Sequence, residues 1–148
     1  MKSLLSQFIK LLPSKPVFAH CDIPCGIYDP KPAQLAAQTV LKMVNLMSEL
    51  QPTTSEPPFE ERKKIISQIS RLTRVKEDHA EACKREVLIL WTDYFKSEHL
   101  EKFPDLHDLI WKTCKLCSDN KRAVDEAKAQ ELVEAVDKIA EVFNQTKK

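Results

Sequence analysis

In His20-Cys21-Asp22-Ile23-Pro24-Cys25-Gly26-Ile27-Tyr28 a histidine, two cysteines and the chain's one glycine stand together. A cut between Ala19 and His20 would leave a free α-amine beside an imidazole. Cys21 would add its own amide nitrogen and a thiolate. Cys25 would add a second thiolate after a short loop stiffened by Pro24. Two main-chain nitrogens and two sulfurs can lie in one plane around a metal, with the His20 imidazole approaching from above as a fifth donor. Planar N/S donation suits nickel(II) or copper(II); zinc takes a tetrahedron. Gly26 lets the backbone turn directly after Cys25 where a side chain would obstruct, and Tyr28 places a phenol just past this hook.

The hook depends on what precedes it. Residues 1–19 carry Leu4, Leu5, Phe8, Ile9, Leu11 and Leu12 on a helical apolar face that Lys10 interrupts and Pro13 and Pro16 end. Val17-Phe18-Ala19 resembles the pattern before a signal-peptide cleavage site, but Lys10 splits the apolar region. A cleavable propeptide of another kind over 1–19 is the reading adopted, with a single domain over 20–148 and the hook at 20–28. The cytoplasm is the expected compartment, export being left open by the residues before His20.

Composition narrows the class. One glycine and few aromatics among 148 residues point to an all-α chain. Five cysteines, an odd number in a chain long enough to build a core, fit a reducing compartment with thiols kept for packing or metal. Lys and Arg number 23 against 22 Asp and Glu, with no basic stripe for nucleic acid. No apolar run approaches the ~18–20 residues that a membrane span needs.

The elements that must position the hook follow from apolar spacing. A first helix is expected over about 32–50, with Ala36, Val40, Met43, Met47 and Leu50 on one face. A long second helix, about 58–95, carries Leu72, Val75, His79, Cys83, Val87, Leu90 and Tyr94. Residues 96–104 read as a turn, with Pro104 in the first turn of a third helix over about 105–118. Ser118 and Asn120 suggest a break at 118–121, and a fourth helix follows over about 121–145, facing inward with Leu132, Val136, Ile139 and Phe143. Short connections between amphipathic helices imply an antiparallel four-helix bundle.

The motif HC-x-x-PCG-x-Y at a processed N-terminus resembles the hook of the nickel-containing superoxide dismutases. The stretch LWTDYFKSEHLEKFPDLHDL, 90–109, is similar to that family's second-helix end and following loop, and the likeness runs from His20 to Lys148. The propeptide form resembles the cyanobacterial branch. The resemblance implies a four-helix bundle assembled as a homohexamer with one nickel per subunit. The reaction it implies is disproportionation of superoxide to oxygen and hydrogen peroxide, after a peptidase has removed residues 1–19. Implied ligands are His20 through amine and imidazole, Cys21 through amide nitrogen and thiolate, and Cys25 through its thiolate. Asp22 and Tyr28 match positions near the open face, and Tyr94 a second tyrosine there. Two positions depart from the family: Ala36 stands where a glutamate would orient the axial imidazole, and His79 where an arginine would. His79 could still hydrogen-bond toward the hook.

Other readings use the same residues. A helical module could hold nickel or copper at the hook for delivery without turnover. A thiol redox protein could use Cys114 and Cys117, which stand one turn apart, but this leaves the N-terminus unexplained. Otherwise these two thiols are packing groups, Cys83 a small core residue, and Trp91 and Trp111 core or subunit-contact anchors. His99 and His107 are expected at the surface or an interface.

Overall fold

The computed structural model describes residues 26–147. The expectations resting on Ala19, His20, Cys21, Asp22, Pro24 and Cys25 lie outside the described residues. Five helices follow in order: α1 (Lys31–Ser48), α2 (Phe59–Ile89), the short α3 (Ser97–Lys102), α4 (Leu106–Arg122) and α5 (Glu126–Thr146). Leu90–Tyr94 continues α2 as one π turn, in which the Phe95 amide reaches back five residues to the Leu90 carbonyl at 2.9 Å. The four long helices form the expected all-α bundle.

Each helix is held by an identifiable stripe. α1 buries Ala33, Ala36, Ala37, Val40 and Val44, mostly small side chains that let neighbouring helices approach closely. α5 starts where the Asp125 carboxylate accepts from the Lys128 amide at 3.1 Å. It then buries Ala129, Leu132, Val136, Ile139 and Phe143 at spacings of three and four. α1 packs on α2 and α5, and α4 on the same two. The chain runs up, down, up and down around one core: Tyr28, before α1, meets Tyr94 at the end of α2, and α5 ends at Tyr94 through Thr146. At the opposite end Lys76 of α2 meets the last residues of α4.

Three expectations are corrected. The turn at 96–104 contains α3, and Pro104 precedes the cap of α4 instead of entering its first turn. The break expected at 118–121 lies inside α4. The Ser118 hydroxyl and the Asn120 amide NH2 donate to carbonyls four residues back, at Cys114 (3.2 Å) and Leu116 (3.0 Å), so neither interrupts the helix. Asn120 also donates across to the Lys128 carbonyl at 3.0 Å, and the chain turns only at 123–125. Lastly, the first half of α2 outruns its partners: the apolar period continues through Ile65, Ile69 and Leu72, yet the first buried residue is Lys76, and Val75 stays exposed.

Lys76 is 1% exposed, and its ammonium donates to the carbonyls of Asn120, Lys121 and Ala123, the last at 2.8 Å. Burial lowers its pKa, and the orphan carbonyls at the end of α4 supply the compensating acceptors. Replacing Lys76 by Met keeps the aliphatic stem but strands these acceptors. We expect a loss of about 2–3 kcal/mol in urea unfolding of the full chain.

Candidate functional site

One end of the bundle gathers the described residues nearest the hook. Gly26 has φ +91°, the left-handed region that a side chain resists. A Cβ built there meets no described atom within 4 Å. The positive φ is by itself a conformational reason for glycine at this position. After it, the Asp29 carboxylate accepts from the Lys31 amide at 2.7 Å, spanning the buried Pro30 and fixing how the chain joins α1. That geometry aims Tyr28 into the bundle end, with its hydroxyl oxygen buried.

Tyr28 meets Tyr94 edge to face, with ring centroids 6.1 Å apart. Tyr94 closes the π turn and is packed on several sides. Its ring lies 4.3 Å from that of Phe143 on α5 and 5.8 Å from the His99 imidazole, which stacks on it. His99 in turn accepts from the Lys96 amide through Nδ1 at 3.2 Å, capping α3. With only 15% of its side chain exposed, His99 is packed against Tyr94 and is not at the open surface, one of the two places expected for it. The π turn and α3 together carry the chain across the bundle end, and neither has a distinctive sequence signal.

The remaining expected residues lie elsewhere. His79 is half-buried on α2, and its Nδ1–H donates to the Val75 carbonyl at 2.9 Å. It stands 15 residues before Tyr94, or about 22 Å along a helix at 1.5 Å per residue. The structure brings Tyr28 and Tyr94 together and does not bring His79 to them. Ala36 is buried in the α1 stripe and offers no polar group.

The three described thiols face the interior between α2 and α4. Cys83 and Cys117 are fully buried, and Cys114 is half-buried. A hydrogen bond with the Cys83 thiol, together with burial, pushes the Cys117 pKa far up; burial, then the neighbouring Cys117, raises that of Cys114. Protonated thiols are poor nucleophiles. We expect Cys83 and Cys117 to resist iodoacetamide at pH 8 in the folded protein and to react in urea, as read by peptide mass mapping. Rapid folded-state labelling would reopen the thiol-redox reading.

Among the described residues no group of three or more His, Cys, Asp or Glu side chains could hold a metal. His20, Cys21 and Cys25, which lie outside the described residues, would together offer one imidazole, one amide nitrogen and two thiolates, and an amine if the chain were cut before His20. Thiolates and main-chain nitrogens are soft or strong-field donors, and they suit a metal that accepts a planar arrangement.

Residues 15–147 match the family model described as nickel-containing superoxide dismutase. The chain is 38% identical over 136 residues to the nickel superoxide dismutase of Streptomyces coelicolor, covering 92% of this chain and 94% of that protein. It is 35% identical, with the same coverage, to that of Streptomyces seoulensis. Among solved structures it is similar to native nickel superoxide dismutase, with TM-score 0.71, 36% identity, and coverage of 87% and 100% of the two chains. A structure with nickel ligation corresponding to the oxidised state gives TM-score 0.71 at 33% identity, covering 86% of this chain and 98% of that one.

Proposed function

Because the chain belongs to the nickel-containing superoxide dismutase family, we propose that its catalytic centre is the hook His20–Tyr28, completed when residues 1–19 are removed. The protein disproportionates superoxide to oxygen and hydrogen peroxide, with nickel as cofactor. The observation that carries this is the family match over 15–147, which takes in the whole hook.

His20 would hold the metal through its α-amine and imidazole, Cys21 through its amide nitrogen and thiolate, and Cys25 through its thiolate. Nickel bound there supplies one-electron chemistry between the +2 and +3 states. Making hydrogen peroxide consumes two protons, and the chain's own groups must supply or relay them. Asp22 and Tyr28 are the hook residues suited to that task. Tyr94 backs Tyr28 through the edge-to-face contact. Pro24 and Gly26 shape the loop, Gly26 through its positive φ. We assign His79 no part in the site built around the two tyrosines.

The finer organisation is also a proposal. A peptidase acts between Ala19 and His20. The subunits assemble as a homohexamer, which would cover apolar side chains such as Phe59, Ile66 and Trp111, each more than half exposed. Three described cysteines kept as free thiols support a reducing cytoplasm, and no helix among the described residues is long and apolar enough to cross a membrane.

The competing delivery reading is separated by turnover. Residues 20–148 loaded with nickel or with copper are mixed with superoxide in a stopped-flow instrument, and the decay is followed. Catalytic decay with nickel alone is the expected result. Tight nickel binding with decay no faster than buffer would support delivery instead.

A further inference from the structure

The hydroxyl of Tyr94 lies 3.1 Å from Oγ1 of Thr146 on the last turn of α5. Distance alone leaves open which group donates. The direction is settled by a second contact, since Thr146 Oγ1 also lies 2.8 Å from the Phe143 carbonyl. A carbonyl can only accept, so it takes the single hydroxyl proton of Thr146. Tyr94 is then the donor in its bond to Thr146.

This has a chemical consequence. The phenolic proton of Tyr94 is committed to α5, so toward the site its oxygen offers lone pairs and not a proton. The bond also tethers the outer end of the ring, whose plane is held by its packing against Phe143 at 4.3 Å and His99 at 5.8 Å. The Tyr28 ring meets it in an edge-to-face contact. A side chain 52 residues away in sequence therefore fixes where the outer end of the ring that Tyr28 packs on is held.

We propose that Thr146 is a positioning residue for the active site: by accepting the Tyr94 phenolic proton it fixes the tyrosine pair and makes Tyr94 a hydrogen-bond acceptor there. The inference rests on the superoxide dismutase reading for its activity arm only. It divides the labour of the two tyrosines, since proton supply cannot come from Tyr94 without breaking its bond to α5.

The test is a double-mutant cycle with a rescue. Thr146→Val keeps the shape and loses the hydroxyl, Thr146→Ser keeps the hydroxyl, and Tyr94→Phe removes the donor. In nickel-loaded 20–148 we expect Thr146→Val to lower kcat/KM about three- to tenfold and Thr146→Ser to restore it within about twofold. The double variant should be no worse than Tyr94→Phe alone, because both changes remove one interaction. In urea unfolding of the metal-free full chain, each single variant should lower the folding constant by about tenfold or less, again with no further loss in the pair.

Multiplicative losses in both measurements would overturn the Tyr94–Thr146 bond. Coupled stability with undiminished Thr146→Val activity would overturn the positioning role, leaving the bond as structure only. A parent 20–148 without turnover would overturn the functional reading instead, and the unfolding cycle would still decide the bond.

Discussion

Cys21→Ser in the trimmed chain 20–148 is expected to lower nickel-dependent superoxide disproportionation by about a thousandfold or more, a barrier increase of about 4 kcal/mol. The reason lies in the donor atoms. Serine is close to cysteine in size and leaves the main-chain nitrogen in place, so the fold and one ligand survive. Its hydroxyl, however, stays protonated where a thiol bound to metal gives up its proton. One anionic sulfur is lost, and with it much of the donation that makes an otherwise hard-to-oxidise metal redox-active. Nickel content of the desalted protein, measured by atomic absorption, reads the same loss independently of activity. Because no described residue contacts need change, the helical circular dichroism should be unaltered.

The second large effect comes from adding atoms at the N-terminus. A single residue retained before His20 should be nearly as damaging as all nineteen, because either converts the His20 α-amine into a peptide nitrogen. An α-amine, with a pKa of about 7.7–8.0, gives up its proton to a metal readily near neutral pH; an amide nitrogen does so only at considerable cost. The two cysteines would still be present, so such a chain could bind nickel through sulfur while lacking the complete donor set. We therefore expect weak nickel retention and activity near background for a chain beginning one residue early. This separates a chemical requirement for the amine from a bulk effect of residues 1–19 covering the bundle end. Full activity with one extra residue, and none with nineteen, would favour covering.

Much of the bundle was legible because apolar period and helix packing are the same constraint. The faces through Val40, Val87 and Ile139 are where the residues are buried. What sequence misplaced has local physical causes. Ser118 and Asn120 look like helix caps, yet their side chains bond back to Cys114 and Leu116 and the helix runs on. The apolar period of α2 put His79 on the inward face, but the buried stripe runs through Lys76, Ala80, Cys83 and Val87, and His79 lies beside it, half-buried.

The site shows the same division. The proposed ligand set rests on sequence alone, because His20, Cys21 and Cys25 sit together in the chain and short-range chemistry needs no fold to bring it together. The pairing of Tyr28 with Tyr94 came only through resemblance, since nothing local links residues so far apart. His99 and Thr146 carried no usable signal: a histidine before a proline-containing loop and a threonine near a lysine pair are ordinary surface sequence. Their roles arise from the π turn at Leu90–Tyr94 and from where α5 ends, which are tertiary facts.

The account stands or falls on the processed N-terminus. The most direct measurement loads 1–148 and 20–148 with nickel under identical conditions and compares superoxide disproportionation. The account predicts activity in 20–148 alone, with 1–148 becoming active once cleaved between Ala19 and His20. Equal activity in the two chains would contradict it, because the free amine of His20 would then not be a ligand.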